Sequence, residues 1–533
     1  MAQRLLGQET EFGFAAFSPD GARLGGDRPA SLLLAVAGRR LPHLPDMHSH
    51  GMFLASGGRF YMDAGHHPEG TTPECPNPWD VVRYNLALEE ILTGLGAAMK
   101  AADPGIGEVM FFKSNVDYSG SGNSWGCHEN YMHCVEPDVL TEQLIPHLAS
   151  RVIYTGCGGF DPFAPGLDFM LSPRVAHLRQ VTSADSMHAR ALCDTRNEPL
   201  AGLGYHRAHL LCGESLCSHT SAWLKIATTA LVVALVEGGV RPANAVPLRS
   251  PLDATRCFAT DTTCRAVVEA ASNTYWTALG IQYHYLALAE ARVDAPFMPP
   301  WAGEVCRHWS AILQRLESAP YSVSATLDWA IKLVLYRERA RRRGISWEQL
   351  PAWNSYLADL ASVLGRQQPT LDAVCELPLD ELKRMASQYG LCALELPAFL
   401  ELRDELFELD TRFGQLGAGG VFAALDRAGV LHHRFPGVDN IAHAMVSPPA
   451  SGRARVRGAC VQRLAAHPDE YSCTWDQIVD NRRNRRLDLS DPFVAGEAWE
   501  DLRKAGPAET EYARDMAARL RTLRERERQH VRF

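Results

Sequence analysis

Leu5-Leu6-Gly7-Gln8-Glu9-Thr10-Glu11-Phe12-Gly13-Phe14 is short and punctuated by glycine, and its polar residues fall at every second position, so it reads as a β-strand. Side chains two apart on a strand share a face, which puts the Glu9 and Glu11 carboxylates side by side. Arg59-Phe60-Tyr61-Met62-Asp63 repeats the device, with Arg59, Tyr61 and Asp63 on one face and Phe60 and Met62 on the other. In both strands one face suits a core and the other carries chemistry. His66-His67-Pro68-Glu69-Gly70-Thr71-Thr72-Pro73-Glu74 then adds further acids. Half-exposed strands also alternate for solubility alone, so it is the joint occurrence that is informative. Carboxylates gathered this closely repel unless a cation lies between them, and magnesium is the hard divalent ion that prefers oxygen ligands and bridges to phosphates. The pattern points to a nucleoside triphosphate, with Arg59 neutralising phosphate charge and an unligated aspartate taking a proton or orienting a nucleophile.

Outward from these strands, a polar stretch from about Ser18 to Gly57 reads as a connection. Asn77-Pro78-Trp79-Asp80 opens a helix: Asn is a good N-cap, Pro suits the first turn, and Val82, Leu86, Ile91 and Leu95 form a stripe through about Ala102. Strands are expected over Glu108–Asp117, Arg151–Thr155 and His209–Cys212, with glycine-rich turns at 120–126 and 156–159. From Ser218 the pattern turns helical: Ala222–Glu237, closed by Gly238-Gly239, then helices around 266–291, 301–316 and 323–343. These are expected to pack on the sheet's other face. Gly414 to Gly420 reads as a hinge before a smaller unit holding Arg453–Arg463 and a strand Tyr471–Trp475. The densely charged stretch Glu509–Arg532, with Met516, Leu520 and Leu523 at helical spacing, reads as a solvated terminal helix.

At 533 residues, 46% of them hydrophobic and 22% charged, the composition is that of a globular protein with a large core and a second, smaller domain. Fifty-three basic against 62 acidic residues leave a net charge of -9, which offers no global attraction to nucleic acid or an acidic membrane. The first residues lack the apolar run of roughly 7 to 15 that a secretory signal needs. The longest apolar run, Ala227–Val236, is about half of the ~20 residues that span a bilayer and reads as a buried helix. The 14 cysteines include no Cys-x-x-Cys pair and suit reduced thiols in the cytosol. A zinc hydrolase using His43, His48, His50, His66 and His67 would need a ligand motif such as His-Glu-x-x-His, which is missing. Gly120–Gly126 is not a phosphate-binding Gly-x-x-x-x-Gly-Lys-Ser/Thr loop.

Gly7-Gln8-Glu9-Thr10-Glu11-Phe12-Gly13, Arg59-Phe60-Tyr61-Met62-Asp63 with His67-Pro68-Glu69, and Gly122-Asn123-Ser124-Trp125-Gly126-Cys127-His128-Glu129-Asn130-Tyr131 resemble, in order and spacing, the motifs of the family of ligases and depupylases that handle Pup, the prokaryotic ubiquitin-like protein. Further echoes are Asp194-Thr195-Arg196-Asn197-Glu198-Pro199, Leu327-Asp328-Trp329, Arg453–Gly458 and Thr474-Trp475-Asp476. Gly70 stands where the family carries an aromatic residue, and Glu198-Pro199-Leu200-Ala201 departs from the usual Glu-Pro-His-Ala.

The resemblance implies an α+β fold: a glutamine synthetase-like curved antiparallel sheet packed with helices over residues 1–415, a small C-terminal domain over 416–500, and a charged helical tail over 501–533. It implies that ATP and magnesium lie on the concave face, with Glu9, Tyr61 and Glu69 binding Mg2+, Arg59, Thr72 and Trp475 binding ATP, and Asp63 as the catalytic acid/base. The implied activity is phosphorylation of the side-chain carboxylate of a terminal Glu on a Pup-like modifier. Attack by a lysine of an acceptor protein, deprotonated by Asp63, then forms an isopeptide bond in the cytoplasm. The Gly-Cys-His-Glu-Asn-Tyr motif, the short interval from Gly13 to Arg59 and Ser490-Asp491-Pro492-Phe493 favour the ligase branch. The alternatives are a depupylase or deamidase that hydrolyses the same amide, or a divergent ligase with another peptide substrate.

Overall fold

The strand read around Glu9 forms as Leu6–Glu11, with Leu6, Gln8 and Thr10 buried and Glu9 and Glu11 toward the open side. The computed structural model describes residues 4–63, 65–184, 190–194 and 204–494, so the motif stretch 195–201 and the tail 501–533 lie outside the described residues. Leu6–Glu11 is the central strand of a nine-stranded sheet. The order across that sheet is Gln180–Ser183, Ala191–Asp194, His206–Leu210, Cys127–His133, Leu6–Glu11, Pro68–Thr71, Arg59–Met62, Met52–Leu54, His43–Pro45. Every neighbouring pair is antiparallel except the edge pair Gln180–Ser183 with Ala191–Asp194. The fold is the expected α+β arrangement, with one parallel pair in an otherwise antiparallel sheet.

Helices cover one face of this sheet. Pro78–Ala102 begins where the sequence places it, with Asn77 Oδ1 accepting the Asp80 N–H at 2.9 Å, and buries Val81, Leu88, Ile91, Leu92 and Met99. A Cβ at Gly70 would overlap Leu88 Cδ2, so the glycine lets this helix lie close against the strand Pro68–Thr71. His219–Glu237, capped by Ser218, is 19 residues long and apolar enough to cross a membrane, yet 89% of its apolar window is buried within the protein. Trp223, Leu224 and Leu231 share its core with Leu6, Tyr131 and Leu210 of the sheet. Each such side chain contributes about 1.5–3 kcal/mol by leaving water.

Four expectations need correction. The connection from Ser18 to Gly57 contains the helix Arg28–Arg40 and the strands His43–Pro45 and Met52–Leu54; Pro29 in the helix's first turn marks its start. Arg151–Thr155 is no strand: Val152–Thr155 is a helical turn continuing from Pro137–Ser150. The Arg151 guanidinium pairs with Glu129 at 2.5 Å beneath the sheet, which holds that backbone behind the ladder rather than in it. The helix expected from 266 starts only at Ala278, capped by Thr277, because Asp261 accepts the N–H groups of Thr263, Arg265 and Ala266 and turns the chain into the hairpin Val267–Glu269/Tyr275–Thr277. The strand from Glu108 is shorter than expected, ending at Phe112, and pairs with Gly13–Phe17 in a separate ribbon. Helices Ala302–Ser318 and Asp328–Arg342 form close to their expected places.

Toward the C terminus, the helix Gly452–Leu464 and the three-stranded sheet Tyr471–Cys473, Gln477–Asp480, Arg485–Asp488 enclose Val456, Val461, Ile478 and Leu489 together with Leu44, Phe53 and Ala55 from the large sheet. Met47 N–H donates to the Cys473 carbonyl at 3.0 Å, so the small sheet continues from the edge of the large one.

Candidate active site

Cross-strand register assembles the site. Glu11 lies opposite Glu69, and Glu69 opposite Tyr61. One step along, Glu9 lies between Thr71 and His128, and Thr71 faces Arg59. One step further, Asn130 lies between Gly7 and His209. Period two puts these side chains on one face, whereas Glu129 and Tyr131 turn toward the helices.

The charges on this face are unequal. Burial works against ionisation of Glu9, but His209 at 3.5 Å, His128 at 3.4 Å and Arg207 at 3.6 Å hold its carboxyl well below the usual range, and Asn130 Nδ2 donates to it at 3.1 Å. Glu69 goes the other way: burial, then repulsion from Glu9 and Glu11, pushes it well above the usual range. Tyr61 is likewise raised by burial and by Glu69 and Glu9, so its phenol stays neutral. Arg59 pairs with Asp46 at 2.5 Å, donates to Ser49 Oγ at 3.0 Å and stacks 4.0 Å over the Tyr61 ring. Asp63 follows the strand Arg59–Met62: its Oδ1 accepts the His67 N–H at 2.6 Å and its Oδ2 lies 3.5 Å from His67 Nδ1. Burial would lower His67, but Asp63 outweighs it and the histidine is raised.

Glu9, Arg59, Tyr61, Thr72 and Trp475 line one cavity of about 250 Å3, with Arg207, His209 and Arg453 adding positive charge and Leu5, Leu6 and Met132 an apolar end. Glu69 and Asp63 are not in its wall; Glu69 sits beside Tyr61 in the ladder, and Asp63 follows on the same strand face.

Two opposed acids on adjacent strands, one of them buried, are costly without a counter-charge. The ligand atoms of Glu11, Glu69 and His128 lie within 4.8 Å of one another, as do those of Glu9, His128 and His209 and those of Glu11, Asp63 and His67. The donor set therefore fits a divalent cation. Glu9, Tyr61 and Glu69 are the ligands that the resemblance implies, and Glu11 belongs to the acidic pattern of the first strand; His128 and His209 are additions that the sequence reading does not name as ligands. The approach of the two histidines to Glu9 depends on strands more than a hundred residues apart, and the local sign is the alternation of His128 and Asn130 within Cys127–His133.

The sequence matches the model of the family described as Pup-ligase protein over residues 4–362 and 350–479. The chain belongs to the Pup-ligase family. Among its relatives, the Pup–protein ligase of Mycobacterium avium (strain 104) is 30% identical over 505 residues, covering 93% of this chain and 97% of the relative. That of Geodermatophilus obscurus is 29% identical over 510 residues, again covering 93% and 97%. Two solved structures share the fold: the Pup ligase PafA in complex with Pup, with TM-score 0.71, 24% identity and 94% and 92% of the two chains covered, and PafA in complex with ADP, with TM-score 0.65, 24% identity and 90% and 94% covered.

In this Pup-ligase family member the far rim of the cavity comes from the C-terminal elements. Arg457, fully buried, donates to the Gly57 carbonyl from Nε at 3.0 Å and Nη2 at 2.8 Å, donates to the Trp475 carbonyl at 2.9 Å and stacks 4.7 Å from the Trp475 ring. It also pairs with Glu74, which Arg453 holds at 2.6 Å. Burial would raise Glu74, but the two arginines bring it down to about 2.

Proposed function

We propose that this protein is an ATP-dependent ligase that activates the side-chain carboxylate of a terminal glutamate on a Pup-like modifier and joins it to a lysine of an acceptor protein. The observation that carries the reading is the opposed pair of half-buried Glu11 and buried Glu69 beside an arginine-lined cavity: carboxylates so placed call for a divalent cation, and the arginines suit the phosphates of a nucleotide. When bound, magnesium neutralises charge developing on the transferring phosphoryl group. Glu9, Glu69 and Tyr61, with Glu11 and His128, would hold the cation. Arg59 and Thr72 would hold the phosphates, and Trp475 would pack against the nucleotide. Asp63, fixed by the His67 backbone N–H and beyond the cavity wall, would take the proton of the incoming lysine.

In this reading residues 1–415 form the catalytic unit and 416–500 a smaller C-terminal unit, whose compact part is the shared core of residues 452–489. A cytoplasmic setting agrees with the 14 free cysteines.

The test is intact-mass spectrometry of modifier and a lysine-bearing acceptor incubated with the enzyme, ATP and magnesium, with Asp63→Asn as control. Conjugate and ADP formed only by the unmutated enzyme support the ligase. Hydrolysis of a preformed conjugate, or conversion of a terminal glutamine to glutamate without ligation, would assign the enzyme to the depupylase branch.

A further inference from the structure

Arg174 and Arg190 form a cationic pair that none of the roles above uses. Arg174, buried in the turn Pro173–His177, donates from Nη1 to Ser124 Oγ at 2.9 Å and from Nη2 to the Leu211 carbonyl at 3.4 Å. Arg190 donates from Nη1 to the same Ser124 oxygen and to His177 Nδ1 at 3.1 Å. Two guanidinium groups thus converge on one neutral hydroxyl, and among the described residues no carboxylate forms an ion pair with either. Arg174 Nε is buried without a hydrogen-bond partner, and so is His177 Nε2. Because His177 accepts at Nδ1, its Nε2 carries the hydrogen and is a further unused donor. Burial and the neighbouring arginines push His177 down to about 3, which keeps it neutral, and burial and Arg174 lower Arg190, with the charge of Glu11 offsetting only part of that. Desolvated like charges around idle donors are costly until an anion joins them.

The pair borders the acidic face. After Ser124, the Trp125 ring packs 5.4 Å from His67, the partner of Asp63, and the Gly126 N–H donates to Glu11 at 2.7 Å. A Cβ at Gly126 would lie 3.0 Å from Arg174 Nη2 and overlap His128 Nε2, so glycine lets the arginine approach the cation-binding histidine. Neither arginine lines the cavity assigned to the nucleotide.

A terminal glutamate carries two carboxylates, of which only the side-chain one is activated in the proposed reaction. An acidic face repels the other unless cations receive it, and planar guanidinium forks suit a carboxylate. We infer that Arg174 and Arg190 bind the free main-chain carboxylate of the modifier's terminal residue, which turns its side-chain carboxyl toward the cation-binding acids and Asp63. This inference rests on the ligase reading.

The test compares initial conjugation rates for a Pup-type modifier ending in glutamate as the free acid and as its terminal main-chain carboxamide, using the unmutated enzyme and Arg190→Gln. A lost charged hydrogen bond corresponds to roughly a ten- to hundredfold change. The unmutated enzyme should show a KM raised by that factor for the amide, with kcat changed far less. Arg190→Gln should show the raised KM for the free acid and no longer distinguish the two. Equal handling of both modifiers by the unmutated enzyme overturns the inference and leaves the ligase reading standing. So does an Arg190→Gln enzyme with lowered kcat and unchanged KM for the modifier, which would place the pair on the transferring phosphoryl group. If the unmutated enzyme conjugates neither modifier, both readings fall. The modifier comparison needs no variant and decides the matter alone should Arg190→Gln not fold.

Discussion

Replacing Arg457 with methionine should loosen the C-terminal elements selectively. The side chain is fully buried, bridges the Gly57 and Trp475 carbonyls and pairs with Glu74. Removing one partner of a buried ion pair costs about 3–5 kcal/mol. Arg453 still holds Glu74 at 2.6 Å, which puts the expected loss near the low end of that range. As a local opening, about 3 kcal/mol corresponds to roughly a hundredfold faster exchange of protected amides. Hydrogen–deuterium exchange read by mass spectrometry should show this in peptides covering residues 471–489 and 52–60, with the helix Pro78–Ala102 unchanged as internal reference. Glu74→Gln tests the cause: in the double variant the Glu74 charge is gone and only Arg453 loses a carboxylate partner, so its loss should fall short of the sum of the single losses. Unmutated exchange over 471–489 in Arg457→Met, or strict additivity with Glu74→Gln, would refute the reasoning.

Three further outcomes follow from the same geometry. Glu74 is held at about 2 against an ordinary value of 4.5, so its stabilisation is full above 4.5, declines as pH falls through 4.5 and is gone below 2; it amounts to about 3 kcal/mol. Exchange over 471–489 should accelerate across that acid window in the unmutated protein and much less in Glu74→Gln. Gly70→Ala should cost about 1–3 kcal/mol by driving a Cβ into Leu88, with part of the loss recovered in Gly70→Ala/Leu88→Ala, as read by thermal melting. Glu69→Gln should weaken Mn2+ binding, followed by electron paramagnetic resonance, by tenfold or more; unchanged affinity would remove Glu69 from the ligand set.

Local signals were legible in the sequence. Period two put Glu9 with Glu11 and Arg59 with Tyr61 and Asp63, and the Asn77 cap announced the helix Pro78–Ala102, because strand alternation and capping depend on neighbours within a few residues. Register was not legible. Nothing near Glu9 says that His128 lies opposite it, or that His209 lies one strand beyond, since hydrophobic patterns and turn lengths across the whole sheet decide that pairing. The hairpin Val267–Glu269/Tyr275–Thr277 was hidden because one side chain, Asp261, diverts the backbone donors that a helix would have used. Arg151–Thr155 carries β-favouring residues, but its buried partner Glu129 overrides that preference.

The shared core of Leu44, Phe53 and Ala55 with Val456, Val461 and Ile478 has a consequence for how the protein is made. A ribosome adds about 5–20 residues per second, so the strands His43–Pro45 and Met52–Leu54 wait tens of seconds before residues 452–489 exist to cover them. During that interval the sheet's outer strand offers unpaired backbone groups beside bare apolar side chains, a template for pairing with another chain. Arg453 and Trp475 also reach the cavity late, so the nascent chain gains the complete rim of that cavity only when synthesis is nearly finished. Ribosome-bound chains stalled before residue 452 should therefore be the aggregation-prone species, and nucleotide should not rescue them.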